Sequence, residues 1–456
     1  MSEEKDDVKI LLMSTVVLFV IAVLMLVGGI YMQIILHQTK APLILGIVAG
    51  ILLAIPLELW NFSDPDTLYR VMAFQDRFLL VCFGFAIGLG AILLYGLYLF
   101  VPHPNFGIKS FFVPGIIIGG ILFGAGVGLA GYFPGTVWIA LGQGRRDAIW
   151  AVLGGLLGAF TWSLIFGSVK GFFWNTLNFG PITWASIVGA VTRTEIFIVS
   201  LVFGIILLLL FFFLPRYPGQ PLKQCCFSHL IGKNKDVVRY DELIEEEKEK
   251  YPKSRNFVRR ITNESSIWNA RYVVFLGLEF TIAAVAVIIL HQIFGESTTY
   301  SWIGAQLSYL LNPTWAASNP YFQLFGGMHI VNGIPVNNPF SEIGWEPLSD
   351  LGTFLGGFIS AVLISKRFMA YKHQIPRVWQ HRFGPSRKLR ALGSFIGTFL
   401  VLFGARMANG CASGHILSGN IQMAISSFVF MVVVLLSSWV TLYFVLHLKI
   451  NKKGYR

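Results

Sequence analysis

Arg406, Asn409, Cys411, Ser413 and His415 stand within ten positions of one another, interleaved with Gly404, Gly410, Gly414 and Gly419. Apolar runs bound the stretch on both sides. A thiol is a weak hydrogen-bond donor and a soft acceptor, so Cys411 suits a soft, polarisable partner such as sulfur. Arg406 brings a permanent positive charge, and His415 brings either charge or a backbone hydrogen bond. Asn409 and Ser413 are neutral donors, or turn residues beside glycine. Glycines interrupt a helix, and the freed backbone amides can meet an anion. The chemistry on offer is recognition of a small anion. No Ser/His/Asp constellation, paired carboxylates or metal-ligand spacing stands out, so no enzyme activity, metal site or cofactor is expected. A G-x-x-x-x-G-K-[ST] loop is absent as well, which leaves passive or ion-coupled movement of a substrate.

The elements that must hold these residues are membrane helices. Of 456 residues, 55% are hydrophobic and 13% charged, where a soluble protein carries about 25% charged residues. Apolar runs long enough to span, at about 20 residues each, read at 9–36, 41–61, 78–101, 111–133, 148–168, 194–215, 270–294, 350–366, 390–408 and 418–447. The fold class expected is an all-α integral membrane protein of about ten spans. The net charge of +12 sits in particular loops, so the bilayer is the expected partner and nucleic acid is not. Segment 216–269 holds eleven Lys and Arg, 366–390 holds eight, and 295–349 holds none. The positive-inside rule then places both termini on the cytosolic or matrix side of a plasma (inner) or mitochondrial inner membrane. Arg145, Arg146, Arg382, Arg387, Lys388 and Arg390 read as inside anchors. The N-terminus lacks signal-peptide features, so the first run reads as a retained helix. Three parts follow: an N-terminal membrane half 1–215, a charged linker 216–269 and a C-terminal membrane half 270–456. The linker reads as a cytosolic connector or a docking site. The neutral loop 295–349, with Trp302, Trp315 and Trp345, reads as a lid, a partner surface or a pair of re-entrant pieces.

The Cys411 stretch has an echo about 280 residues earlier. Phe123-Gly-Ala matches Phe403-Gly-Ala, and Gly131 and Gly135 are spaced as Gly410 and Gly414 are. Counted from the charged loops, the two copies point to opposite sides of the membrane. Inverted repeats with glycine- or proline-interrupted segments at matching positions mark transporter sites. Phe133, Pro134, Gly135 and Thr136 therefore join Arg406, Asn409, Gly410, Cys411, Ser413, Gly414 and His415 as candidate substrate-binding residues. The alternative is a pair of glycine-rich helix contacts.

At these residues the chain resembles the YeeE/YedE sulphur-transport family, whose characterised members take up thiosulfate. The segment from Gly404 to His415 resembles the signature G-x-R-x-x-x-G-C-x-x-G-H, and Gly131-Tyr-Phe-Pro-Gly-Thr136 resembles the G-Y-C-P-G-T form. Phe62-Ser-Asp-Pro-Asp-Thr67 resembles a third family segment with an S/T-D-P turn. The resemblance implies short helices meeting at mid-membrane and cysteines that pass a sulfur-containing anion along a narrow path. Cys411 carries over into that role. Phe133 stands where the family has cysteine, and a phenyl ring offers an anion no hydrogen bond. Two functions follow: transport of a thiosulfate-like anion by a path with one thiol, or a transport-inactive, transporter-derived subunit of a larger membrane assembly. Cys411 as a small apolar filler belongs with the second.

Overall fold

The computed structural model describes residues 2–36, 41–101, 105–214, 271–340, 344–365, 367–370 and 372–447. The linker 216–269, with Cys225 and Cys226, lies outside them. The N-terminal half holds α1 (Ser2–Ile34), α2 (Ile44–Leu59), α3 (Pro65–Met72), α4 (Phe78–Tyr98), α5 (Val113–Ala130), α6 (Pro134–Gly142), α7 (Asp147–Lys170), α8 (Trp184–Ile187) and α9 (Arg193–Phe213). The C-terminal half holds α10 (Arg271–His291), α11 (Thr298–Leu311), α12 (Pro313–Ser318), α13 (Pro320–Phe325), the hairpin β1 (Met328–Val331) and β2 (Ile334–Asn337), α14 (Trp345–Ile359), α15 (Arg377–Phe383), α16 (Arg387–Met407) and α17 (Ile425–Phe444). Wider π turns extend α7 over Gly171–Asn175 and α14 over Ser360–Ile364, and a third forms Ser413–Gly419.

Among the described residues, eight helical segments are long and apolar enough to cross a membrane. The expected run at 41–61 coincides instead with the shorter apolar helix Ile44–Leu59, and the run at 270–294 coincides with α10, 21 residues long. Sixteen residues of α2 rise roughly 24 Å, short of a ~30 Å hydrocarbon core. Local signals set the boundaries. Pro65 and Pro134 begin α3 and α6, where proline's missing N–H costs nothing. Gly131 ends α5 at φ +69°, a conformation that favours glycine. Thr192 and Glu195 cap α9 reciprocally, with bonds of 3.2 and 3.0 Å.

Glycine brings the central helices into backbone contact. A Cβ on Gly126 would stand 2.4 Å from the Gly397 carbonyl, and one on Gly404 2.5 Å from the Gly119 carbonyl. These pairs press α5 against α16. The same device presses α2 against α14, where a Cβ on Gly50 would meet the Ser349 carbonyl at 2.0 Å. Without a hydrophobic drive between helices in lipid, such close approach supplies dispersion contact. The packing is also reciprocal: α5 lies against α16 and α17, while α16 lies against α5 and α7.

Two of the expected inside anchors are not surface charges. Arg145 is 2% exposed and bridges Asp64 at 3.1 Å and Asp147 at 3.3 Å. Arg390 is 1% exposed and binds Asp147 at 2.9 Å, the Ala130 carbonyl at 2.8 Å and Tyr69 at 3.1 Å. A count of basic residues sees the charge but not the acid that meets it across the fold. Arg146, Arg382, Arg387 and Lys388 are exposed.

Segment 295–349 folds as α11 to α13 and the hairpin. Tyr321, Phe322 and Ala305 pack on Trp162 and Phe166 of α7. Asn312 and Asn319 cap α12 and α13 through their side-chain oxygens. This folded piece rests on the helix bundle and reaches the Cys411 stretch.

Candidate functional site

Each glycine-rich copy is a helix, a break, a short helical piece and another helix. In the first, α5 ends at Gly131 and α6 restarts at Pro134. The Thr136 hydroxyl accepts from the Phe133 amide at 2.9 Å, so it is used in capping α6. In the second, α16 ends at Met407, Asn409 turns at φ +55°, and the π turn runs over Ser413–Gly419.

Cys411 is 1% exposed, and its Sγ lies 3.1 Å from Ser413 Oγ. Lys109 approaches from the segment before α5 and donates to the Asn409 carbonyl at 2.7 Å. Its Cε would lie 3.3 Å from a Cβ on Gly410 and 3.8 Å from one on Gly414. Glycine at 410 also clears room for His415, whose Cδ2 would lie 2.8 Å from such a Cβ. His415 Nε2 lies 3.0 Å from the Ala408 carbonyl and Nδ1 lies 3.1 Å from Ser427 Oγ. The bond to the carbonyl requires Nε2 to carry hydrogen, which leaves Nδ1 free to accept from Ser427. Both ring nitrogens are therefore engaged in holding the break together.

Arg406 does not reach the surface. It is 1% exposed, and its guanidinium donates to Ser297 and Thr298, each at 3.0 Å, and to the Tyr321 hydroxyl. Phe325 and Tyr321 flank the cation at 4.8 and 5.6 Å. Its Nη2 has no hydrogen-bond partner among the described residues. All three hydroxyls come from the segment after α10, so the folded 295–349 piece is what holds this charge.

The first copy is tied to the second and to α11 by three sets of contacts. Phe133 is 5% exposed and packs on Phe62 at 5.5 Å and Phe123 at 5.8 Å; Phe123 meets Phe430, which stacks on His415 at 4.6 Å. The Tyr300 hydroxyl donates to the Pro134 carbonyl at 3.2 Å. Glu296 rests directly on Gly135: a Cβ there would stand 1.9 Å from Oε1. The hydroxyl of Ser413 faces the same carboxylate from the other copy.

The structure thus gathers Gly410, Cys411, Ser413, Gly414 and His415 into one break beside Lys109. Gly135 joins them through Glu296. Asn409 contributes its carbonyl, Arg406 is engaged by the 295–349 piece, and Thr136 is occupied in its own cap. Sequence reasoning passed over Lys109, Glu296, Glu346 and Asp350. Glu346 and Asp350 lie in a spanning helix, and an acid within a span is itself a signal. Lys109 and Glu296 lie between spans and give none. Among the described residues, no group of three His, Cys, Asp or Glu could hold a metal ion.

Residues 61–440 match the sequence profile of a family described as sulphur transport. No curated protein matches the chain.

Proposed function

The chain belongs to the sulphur-transport family, and on that premise we propose that it carries a small sulfur-containing anion, thiosulfate-like, past Cys411 between two inverted membrane halves. The observation that carries this reading is the buried Cys411 thiol, 3.1 Å from the half-buried Ser413 hydroxyl, in a glycine-rich break beside the Lys109 ammonium. The thiol offers a soft contact to sulfur, and the hydroxyl and ammonium offer polar contacts to oxyanion atoms. Weak contacts of this kind bind an ion without trapping it, as conduction requires. The reciprocal packing of α5 and α16, each against the helix that follows the other's break, supports the inverted-repeat reading. The chain is a multi-pass membrane protein. Its basic loops favour a plasma or mitochondrial inner membrane with both termini inside.

A second reading, a transport-inactive subunit of a larger assembly, is favoured by one observation. Phe133 is packed between Phe62 and Phe123 at the position where the family has cysteine.

Uptake of radiolabelled thiosulfate into proteoliposomes separates the two. Wild-type uptake is expected, with Cys411→Ala reducing it about tenfold or more, the effect of losing ~1.4 kcal/mol of contact. An inert wild type whose flux appears in Phe133→Cys makes the subunit reading the better one. Inertness of the wild type and both variants removes thiosulfate as the substrate.

A further inference from the structure

We propose that Glu296, together with Asp350 and in the field of Glu346, forms a proton-binding station beside Cys411, so that the anion crosses with protons; this rests on the transport reading above.

Glycine makes the room for two of these carboxylates. A Cβ on Gly135 would lie 1.9 and 2.0 Å from the two oxygens of Glu296, and one on Gly295 would lie 2.3 Å from Glu346 Oε1. On α14, Glu346, Ser349, Asp350 and Thr353 follow one another at helical spacing and are 8, 1, 2 and 1% exposed. A spanning helix therefore turns a buried polar stripe inward. Among the described residues, neither oxygen of Asp350 and not Oε2 of Glu346 has a hydrogen-bond partner. The Thr299 hydroxyl faces Asp350 without closing a bond of ordinary geometry.

The charges around Glu296 come from every side. Glu346 and Asp350 face it from α14 and Tyr300 from α11. The second break brings Ser413, with Cys411 alongside, and α6 brings no titratable group. Lys109 stands in the field of Glu346, Arg406 and Cys411, and it also faces His415. His291 stacks on Trp345 at 4.9 Å and faces Glu346. No ion pair within 4.0 Å joins these acids and bases among the described residues. Glu296 lies in the linker between α10 and α11, outside the spanning helices. Burial holds its carboxyl above the usual carboxylate range, the Ser413 and Thr353 hydroxyls oppose that, and Glu346 adds to it.

An anion at Cys411 would sit beside this group. Against an ionised Glu296 it meets like charge in a poorly screened site; against a protonated one it does not. Each event favours the other, and linkage makes the coupling reciprocal.

The test uses full-length protein in proteoliposomes with radiolabelled thiosulfate, an imposed pH gradient and a clamped membrane potential. One pH unit, acid on the side of entry, is expected to drive about tenfold accumulation per coupled proton. Glu296→Gln is expected to abolish accumulation while leaving downhill uptake that Cys411→Ala still reduces; Asp350→Asn serves if the first variant does not fold. Accumulation that ignores the pH gradient, or follows a sodium gradient, overturns the proposal. So does undiminished pH-driven accumulation in both variants. A second readout needs no substrate: infrared titration of the empty protein should show a buried carboxyl band that Glu296→Gln removes. A missing band overturns the station. A band present in a wild type that takes up no thiosulfate at any pH supports the station and counts against the substrate reading instead.

Discussion

Phe133 and Gly135 lie two positions apart and obey opposite constraints. Phe133 fills space between Phe62 and Phe123. Gly135 leaves space for a carboxylate from another part of the chain, and its identity follows from that contact. Gly135→Ala is therefore expected to destabilise the protein by about 1–3 kcal/mol, as overpacking does. Glu296→Ala in the same chain should restore most of the loss, because it removes the atoms the new methyl meets. Thermal unfolding of the purified protein in detergent checks both. A double variant no more stable than Gly135→Ala alone would mean that the clash lies elsewhere. Sequence patterning marked Gly135 through its spacing from Gly131, but the reason for the glycine is a residue 161 positions away, and no local signal reports that.

At the level of elements, hydropathy located the helices and missed what they say to one another. The runs at 41–61 and 270–294 are both apolar, yet α2 has 16 residues where α10 has 21, as many as α4. They were legible as membrane segments because composition alone marks them. Their length depends on where the chain turns, at Trp60 for α2 and at Gln292, with φ +81°, after α10. The glycine contacts between α5 and α16 were legible only as composition. Gly397→Val is expected to force these helices apart, since even a Cβ there lies 2.6 Å from Ala130. A fall in melting temperature is expected, corresponding to at least ~1–3 kcal/mol of strain. Gly171→Ala should leave the melting temperature unchanged, because nothing lies within 4 Å of a Cβ at that position.

For the molecule as a whole, Asp147 ties distant parts together. It accepts from Arg145 at the end of the first glycine-rich copy and from Arg390 at the start of α16, and Arg145 also reaches Asp64 before α3. Asp147→Ala would leave two buried guanidinium groups without their shared acid. Removing one partner of a buried ion pair typically costs about 3–5 kcal/mol. Asp147→Ala is accordingly expected to unfold at markedly lower temperature or to be lost during purification. Exposed Arg146→Ala is expected to stay within about 0.5 kcal/mol of wild type. Equal behaviour of the two would show that the network contributes nothing measurable. The 295–349 piece works at the same scale. Its hydroxyls hold Arg406, so a segment with no Lys or Arg stabilises the buried cation of the C-terminal motif.

Sequence by itself determined the membrane class, the positions of the helices, the two glycine-rich breaks and the family's cysteine motif. These are properties of composition, period and spacing, and each is written within about 20 consecutive residues. Tertiary structure alone decided what meets Cys411 and Arg406, why position 135 is glycine, and which basic residues are buried. It also decided that three carboxylates gather beside the thiol. A buried charge is defined by its partners, and here those partners come from the linker before α11, from α14 and from the segment before α5. Coulomb and hydrogen-bond energies depend on distance in space, while sequence records only distance along the chain.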